Sequence, residues 1–141
     1  MQASEKCLNA VKGWEGCKLY IYGDLNRFPT IGYGHKLTAD EVASEMYSDG
    51  ITLEQANDIF LKDINPFENA INSLGVVTTQ GQFDALFSFA YNLGISNMKV
   101  MLSHGIDQVA QQIPRWTHAG GIIQPGLVAR RQQEVQWWLG E

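Results

Sequence analysis

Residues 18–33 limit what this chain can fold into more than any other stretch, because there the apolar spacing leaves the helical period. Before it, Cys7, Leu8, Val11 and Trp14 fall on one side of a helix that Ser4 can cap. Gly13 and Gly16 frame the end of that helix. From Lys18 the chain reads KLYIY, whose Leu19, Ile21, Tyr20 and Tyr22 favour a strand. Gly23 to Pro29 is rich in turn residues, and Thr30 to Tyr33 is a second short extended piece. The sequence therefore predicts a small hairpin or meander set among helices.

The remaining segments are helical or loop-like. Thr38 caps a short helix expected to run through Met46. Thr52 with Gln55 has the spacing of a capping box. Behind it Leu53, Ala56, Ile59, Phe60, Ile64, Phe67, Ile71 and Leu74 keep a helical period, and Pro66 should kink or split that helix. Thr79 and Gln82 make another such pair, ahead of an apolar stripe of Phe83, Leu86, Phe87, Ala90 and Tyr91 that Gly94 can stop. This is the candidate central helix. Short helices are expected near Met98–Ser103 and Asp107–Ile113. Loops are expected at Ala119–Gly121 and Gln124–Gly126, and a last helix over Leu127–Leu139.

Composition narrows the function classes. A chain of 141 residues, 45% hydrophobic and 18% charged, is one domain by size with enough apolar material for a core. The apolar runs are too short for a transmembrane segment, and MQASEK lacks the apolar core of a secretory signal. The net charge is -5, and residues 1–70 hold 6 Lys and Arg against 11 Asp and Glu. An acidic balance without a basic stripe argues against nucleic acid. Cys7 and Cys17, about 15 Å apart if both lie near one helix, are expected to be free thiols. His35, His104 and His118 have no metal-ligand spacing, so neither metal nor cofactor is expected. Gly32-Tyr33-Gly34-His35 lacks the third glycine of a dinucleotide fingerprint.

Three groups in one short piece of chain carry candidate chemistry. Glu15 sits where a helix ends, beside Trp14, and both the helix end and desolvation favour its protonated form. Asp24 lies in a polar turn and should stay ionised, and Thr30 adds a hydroxyl. Glycoside cleavage needs a proton donor on one side of a sugar and a carboxylate or a held water on the other. The plain reading is a solvated Glu at a helix end and an Asp bonding its own turn.

The order Glu15-Gly16, Tyr22, Asp24 and Thr30-Ile-Gly-Tyr-Gly-His35 resembles the phage-type lysozymes, the endolysins of glycoside hydrolase family 24. Nine residues separate Glu15 from Asp24, and six more reach Thr30. Downstream, Gln82 to Leu86 and Tyr91 to Gly94 resemble that family's central helix. Trp116, Ala119-Gly120-Gly121, Gly126-Leu127, Arg130-Arg131 and Glu134 resemble its C-terminal segment.

The resemblance implies an α+β lysozyme-like fold over residues 1–141. A hairpin lobe of about residues 15–50 would be joined by a long helix to a helical lobe of about residues 75–141 plus the N-terminal helix. It implies hydrolysis of the β-1,4 bond between N-acetylmuramic acid and N-acetylglucosamine in bacterial peptidoglycan. Glu15 would be the acid, and Asp24 and Thr30 would hold the attacking water, giving inversion. Lys36, Tyr91 and Asn92 would touch substrate, His35 would be structural, and Arg130 and Arg131 would stabilise the fold. It also implies a monomer made in the host bacterial cytoplasm and released to the wall by a holin. The alternatives are a lytic transglycosylase, which needs only the acid, and a wall-binding module without catalysis.

Overall fold

In the computed structural model, residues 1–23 and 29–141 are described, so Asp24 lies outside the described residues. The chain falls into two compact units, Asn9–Asn65 and Met1–Leu8 with Pro66–Glu141. Helix α1 (Glu5–Glu15) and helix α3 (Leu53–Leu74) each contribute residues to both.

In the Asn9–Asn65 unit the period change at Lys18 gives strand β1 (Lys18–Tyr22), followed by β2 (Thr30–Gly32) and β3 (His35–Lys36). They form an antiparallel sheet in the order β1-β2-β3. Tyr22 pairs with Thr30, and Thr30 with Lys36, while Ile31 pairs with His35. Side chains alternate faces along a strand. Ile31 is therefore free to bury, and it forms a core with Ile51 and Ala56, joined by Cys17, Ile21, Tyr33, Leu37, Tyr47 and Ile59. Lys12 lies 5.2 Å from the Phe60 ring centroid and 5.3 Å from that of Tyr33, and its ammonium bonds Asn57. Helix α2 (Ala39–Ser44) opens with the full capping box of Thr38 and Glu41. It stops short of the expected Met46 because Glu45 turns left-handed, φ 56°.

Helix α3 is not split. It runs unbroken for 22 residues through Pro66, the residue at which the units change. Thr52 and Gln55 make the expected reciprocal bonds at its start.

In the other unit, residues 1–4 are tied down along their length. The Met1 amino group donates to Asn72, the Ala3 amide to Glu68, and the Ser4 amide and hydroxyl to Asp84. Ser4 Oγ also accepts from the Cys7 amide, which is the predicted cap of α1. Helix α4 (Gln80–Leu93) packs along α7 (Pro125–Leu139). The stripe predicted on α4 is wider than expected: every residue from Phe83 to Ala90 is buried. Its two polar members are satisfied, Asp84 by Ser4 and Gln80, Ser88 by Arg130 and Glu134.

Helix α5 (Ile95–Leu102) begins directly after Gly94. A 3-10 turn (Ile106–Gln108), α6 (Val109–Gln112) and a second 3-10 turn (Ile113–Arg115) follow. The expected loop at Ala119–Gly121 is instead a hairpin of β4 (His118–Ala119) and β5 (Ile122–Ile123). Gly120 and Gly121 both have positive φ, 61° and 78°, which the tight two-residue turn requires. Helix α7 starts at Pro125, two residues before the expected Leu127, because proline suits the first helical position. Among the described residues no helix is long and apolar enough to cross a membrane. Cys7 and Cys17 are both free thiols.

Candidate active site

Glu15 is the last residue of α1 and is half-buried. Its carboxylate lies over Gly34, in the turn between β2 and β3. A Cβ on Gly34 would sit 3.2 Å from Glu15 Oε1, and the φ of +79° also favours glycine. The second glycine of Gly32-Tyr33-Gly34-His35 thus makes room for a side chain of the same protein. Trp14, its neighbour in sequence, is 37% exposed.

Thr30, 9% exposed, stands in the middle of the transverse row Tyr22–Thr30–Lys36. The opposite face carries Ile31 and the core, so this row lies on the face away from it. Burial and the charge of Glu15 push the Tyr22 phenol up, which brings Glu15 to the same neighbourhood. Tyr22, Thr30 and Lys36 thus share one row of the small sheet, and Glu15, at the end of α1, reaches Gly34 in its β2–β3 turn. Asp24, between β1 and β2 in sequence, lies outside the described residues.

Tyr91 and Asn92 belong to the other unit, near the end of α4. The Tyr91 ring is half-buried, with its centroid 5.3 Å from that of Phe67 and 6.0 Å from that of Phe87. Asn92 Oδ1 is buried without a hydrogen-bond partner among the described residues.

Beneath the sheet is an arrangement that spacing did not disclose. His35 Nδ1 lies 2.8 Å from an Asp63 oxygen and Nε2 lies 3.0 Å from a Glu41 oxygen. Carboxylates only accept, so both ring nitrogens must donate and the imidazole is charged. Hydrogen bonding to Asp63 leads in raising its pKa to about 9, against burial and with help from Glu41. The carboxylates sit on opposite edges of the ring, so the three side chains do not converge on one metal position. Glu41 also accepts from the Thr38 amide at 2.8 Å, and Tyr47 bonds it. Bonds from Thr38 and His35 hold the Glu41 carboxyl below its ordinary value despite burial. His35 is thus a structural clasp joining β3, α2 and α3. Its two partners lie 6 and 28 residues away in sequence, and neither separation is a motif.

Residues 12–134 match the family described as phage lysozyme. The chain belongs to that family. An endolysin of Bacillus phage PZA is 38% identical over 143 residues, covering 95% of this chain and 54% of that protein. This chain spans little more than half the length of that relative. The solved muramidase domain of SpmX from Asticaccaulis excentricus is similar with a TM-score of 0.78 and 27% identity, covering 98% of this chain and 97% of that one. An endolysin from Escherichia coli O157:H7 phage FAHEc1 gives 0.74 and 34%, covering 99% and 94%. The α+β, lysozyme-like fold is common to all three chains.

Proposed function

We propose that this phage lysozyme family member is a muramidase, hydrolysing the β-1,4 bond between N-acetylmuramic acid and N-acetylglucosamine in bacterial peptidoglycan. The observation that carries the reading is the seat of Glu15. Its carboxylate rests on Gly34 at the edge of a sheet whose middle strand presents Thr30. Glu15 protonates the leaving oxygen, while Asp24 and Thr30 hold the water that attacks the opposite face, with inversion. Lys36, Tyr91 and Asn92 contact the sugar strand. Residues 1–141 work as one catalytic domain and as a monomer, and release to the wall depends on a separate membrane pore. The family membership and the names of the relatives, endolysin and muramidase domain, support this reading.

The test is mass spectrometry of digested peptidoglycan. Reducing ends are expected; anhydro ends mean a transglycosylase, and intact strands mean a binder. Glu15→Gln should abolish lysis with the fold retained, because an amide cannot supply the proton. Asp24→Asn should lower the rate by about a hundredfold or more, the scale of losing a positioned base. Near wild-type clearing by the Glu15→Gln protein would remove Glu15 from the mechanism.

A further inference from the structure

The end of α1, which carries Glu15, is fastened to the β2–β3 turn on both sides of that residue. Three residues before it, the Lys12 ammonium lies 5.3 Å from the Tyr33 ring centroid and 5.2 Å from that of Phe60. Two residues after it, Cys17 hydrogen-bonds the Tyr33 phenol. Glu15 itself lies over Gly34, the residue after Tyr33. All of these contacts lie inside the Asn9–Asn65 unit.

Three elements meet at Lys12. It stands on α1, Tyr33 lies in the β2–β3 turn, and Asn57 and Phe60 belong to α3. The ammonium donates to Asn57 Oδ1 at 2.9 Å. The Tyr33 and Phe60 rings meet edge to face, with centroids 5.6 Å apart. A lysine gives up rotamer freedom to be held in one place, and two rings with a hydrogen bond offset that loss. Lys12 and Glu15, three apart on a helix, are neighbours on its surface. Moving Lys12 therefore moves the turn that carries Glu15. A cation in the last turn also suits the helix dipole, but that role needs neither Asn57 nor the rings.

We propose that Lys12 is a positioning residue: it holds the last turn of α1 against Tyr33 and so fixes the Glu15 carboxyl over Gly34. This rests on the muramidase reading, in which Glu15 is the acid, and gives a role to a residue which that reading leaves out.

The experiment measures kcat and KM on soluble, uncross-linked glycan strands of peptidoglycan, with folding checked by circular dichroism. Lys12→Met keeps the length of the side chain and removes the charge. Its kcat should fall about tenfold with KM little changed, since the acid is displaced while no sugar contact is lost. Lys12→Arg should restore most of the rate, because a guanidinium also stacks on rings. Asn57→Ala leaves the charge at the helix end but frees the ammonium, and should lower kcat in the same direction by less. Lys6→Met is the control. The Lys6 ammonium lies 5.9 Å from the Trp137 ring, so this change removes the same charge and the same kind of contact, nine residues before Glu15 on α1. Its kcat should stay. Unchanged kcat in Lys12→Met would overturn the proposal, as would an equal loss in Lys6→Met. So would an Asn57→Ala protein of full kcat, because Lys12 would then act by its charge at the helix end; this variant decides alone if Lys12→Met does not fold. Reducing ends released by the unmodified protein and lost in Glu15→Gln test the muramidase reading separately: if they behave so while Lys12→Met keeps its kcat, only the role of Lys12 falls.

Discussion

The two units each hold three charged side chains in contact, with opposite composition. In the Asn9–Asn65 unit one cation, His35, lies between two carboxylates, and the three side chains are 15%, 18% and 24% exposed. In the other unit one carboxylate, Glu134, lies between two guanidiniums, and exposure falls to 4% for Arg130, 1% for Arg131 and 0% for Glu134. Arg131 grips it side-on, Nε to Oε1 at 2.6 Å and Nη2 to Oε2 at 2.9 Å. Ser88 donates to the same carboxylate, and Arg130 bonds Ser88 through both its hydroxyl and its carbonyl. Burial pushes the Glu134 carboxyl up, while the guanidiniums favour its charged form. The difference teaches which cluster pH can reach. The clasp is built on a histidine, which can lose its charge as pH rises through about 9, and it lies within reach of water. The buried cluster has cations that cannot lose their protons.

Removing the buried carboxylate should have the largest effect. Glu134→Gln leaves two guanidiniums buried without a counter-charge, and breaking such a cluster from one side costs about 3–5 kcal/mol. Urea unfolding of both proteins at about pH 7 should show that loss. A loss under about 1 kcal/mol would mean that water enters the site and that the contrast between the units is one of degree.

His35→Gln should cost less, and its cost should depend on pH. The folded pKa of His35, about 9, lies above its ordinary 6.5. Its stabilisation is therefore complete below about pH 6.5 and is lost as pH rises through about 9. Glu41 is shifted the other way, so its share is present above its ordinary value of 4.5 and is lost on acidification. The clasp is thus strongest between about pH 4.5 and 6.5. The His35 shift corresponds to at most about 3 kcal/mol, and water reaching all three side chains brings the expected value nearer to about 2 kcal/mol. Thermal unfolding of both proteins across a pH series checks this. The gap should be widest in mild acid and should close toward pH 9 or so. A gap that stays constant would assign the role of His35 to packing.

What could be read in advance followed from local chemistry. Thr38 caps its helix as read, and the capping boxes of Thr52 and Thr79 form as spaced, each acting within one turn. The period change at Lys18 marks β1 because face alternation is also local. The misses were of two kinds. Gly120-Gly121 carried a hairpin signal, but strands of two residues give no alternation to confirm it. The His35 partners and the full burial of α4 depend on contacts distant in sequence, which periodicity cannot reveal. Within the proposed site, Glu15 and Thr30 were read as types at a spacing; Glu15 reaches the β2–β3 turn at Gly34, and Thr30 lies on β2. Nothing in the residue types alone indicated that Gly34 is the seat of Glu15.

The smallest expected stability effect belongs to that glycine, and a second glycine sharpens it. Gly81, in the first turn of α4, faces the Trp137 carbonyl of α7 so closely that no methyl fits. Gly81→Ala should therefore cost about 1–3 kcal/mol by forcing two packed helices apart, with activity of the surviving folded fraction retained. Gly34→Ala meets no backbone, only the movable carboxylate of Glu15. Its folding cost should be on the order of 1 kcal/mol, set by the φ of +79°. Its cost in rate should be larger, about tenfold to a hundredfold, because the methyl displaces Glu15, the proposed proton donor, by a few tenths of an ångström or more. Lysis rate and unfolding free energy measured on both variants separate the two roles. If Gly34→Ala lost only stability, the Glu15 seat would be incidental to the chemistry. If Gly81→Ala lost rate as well in its folded fraction, the packing of α4 on α7 would also bear on the reaction.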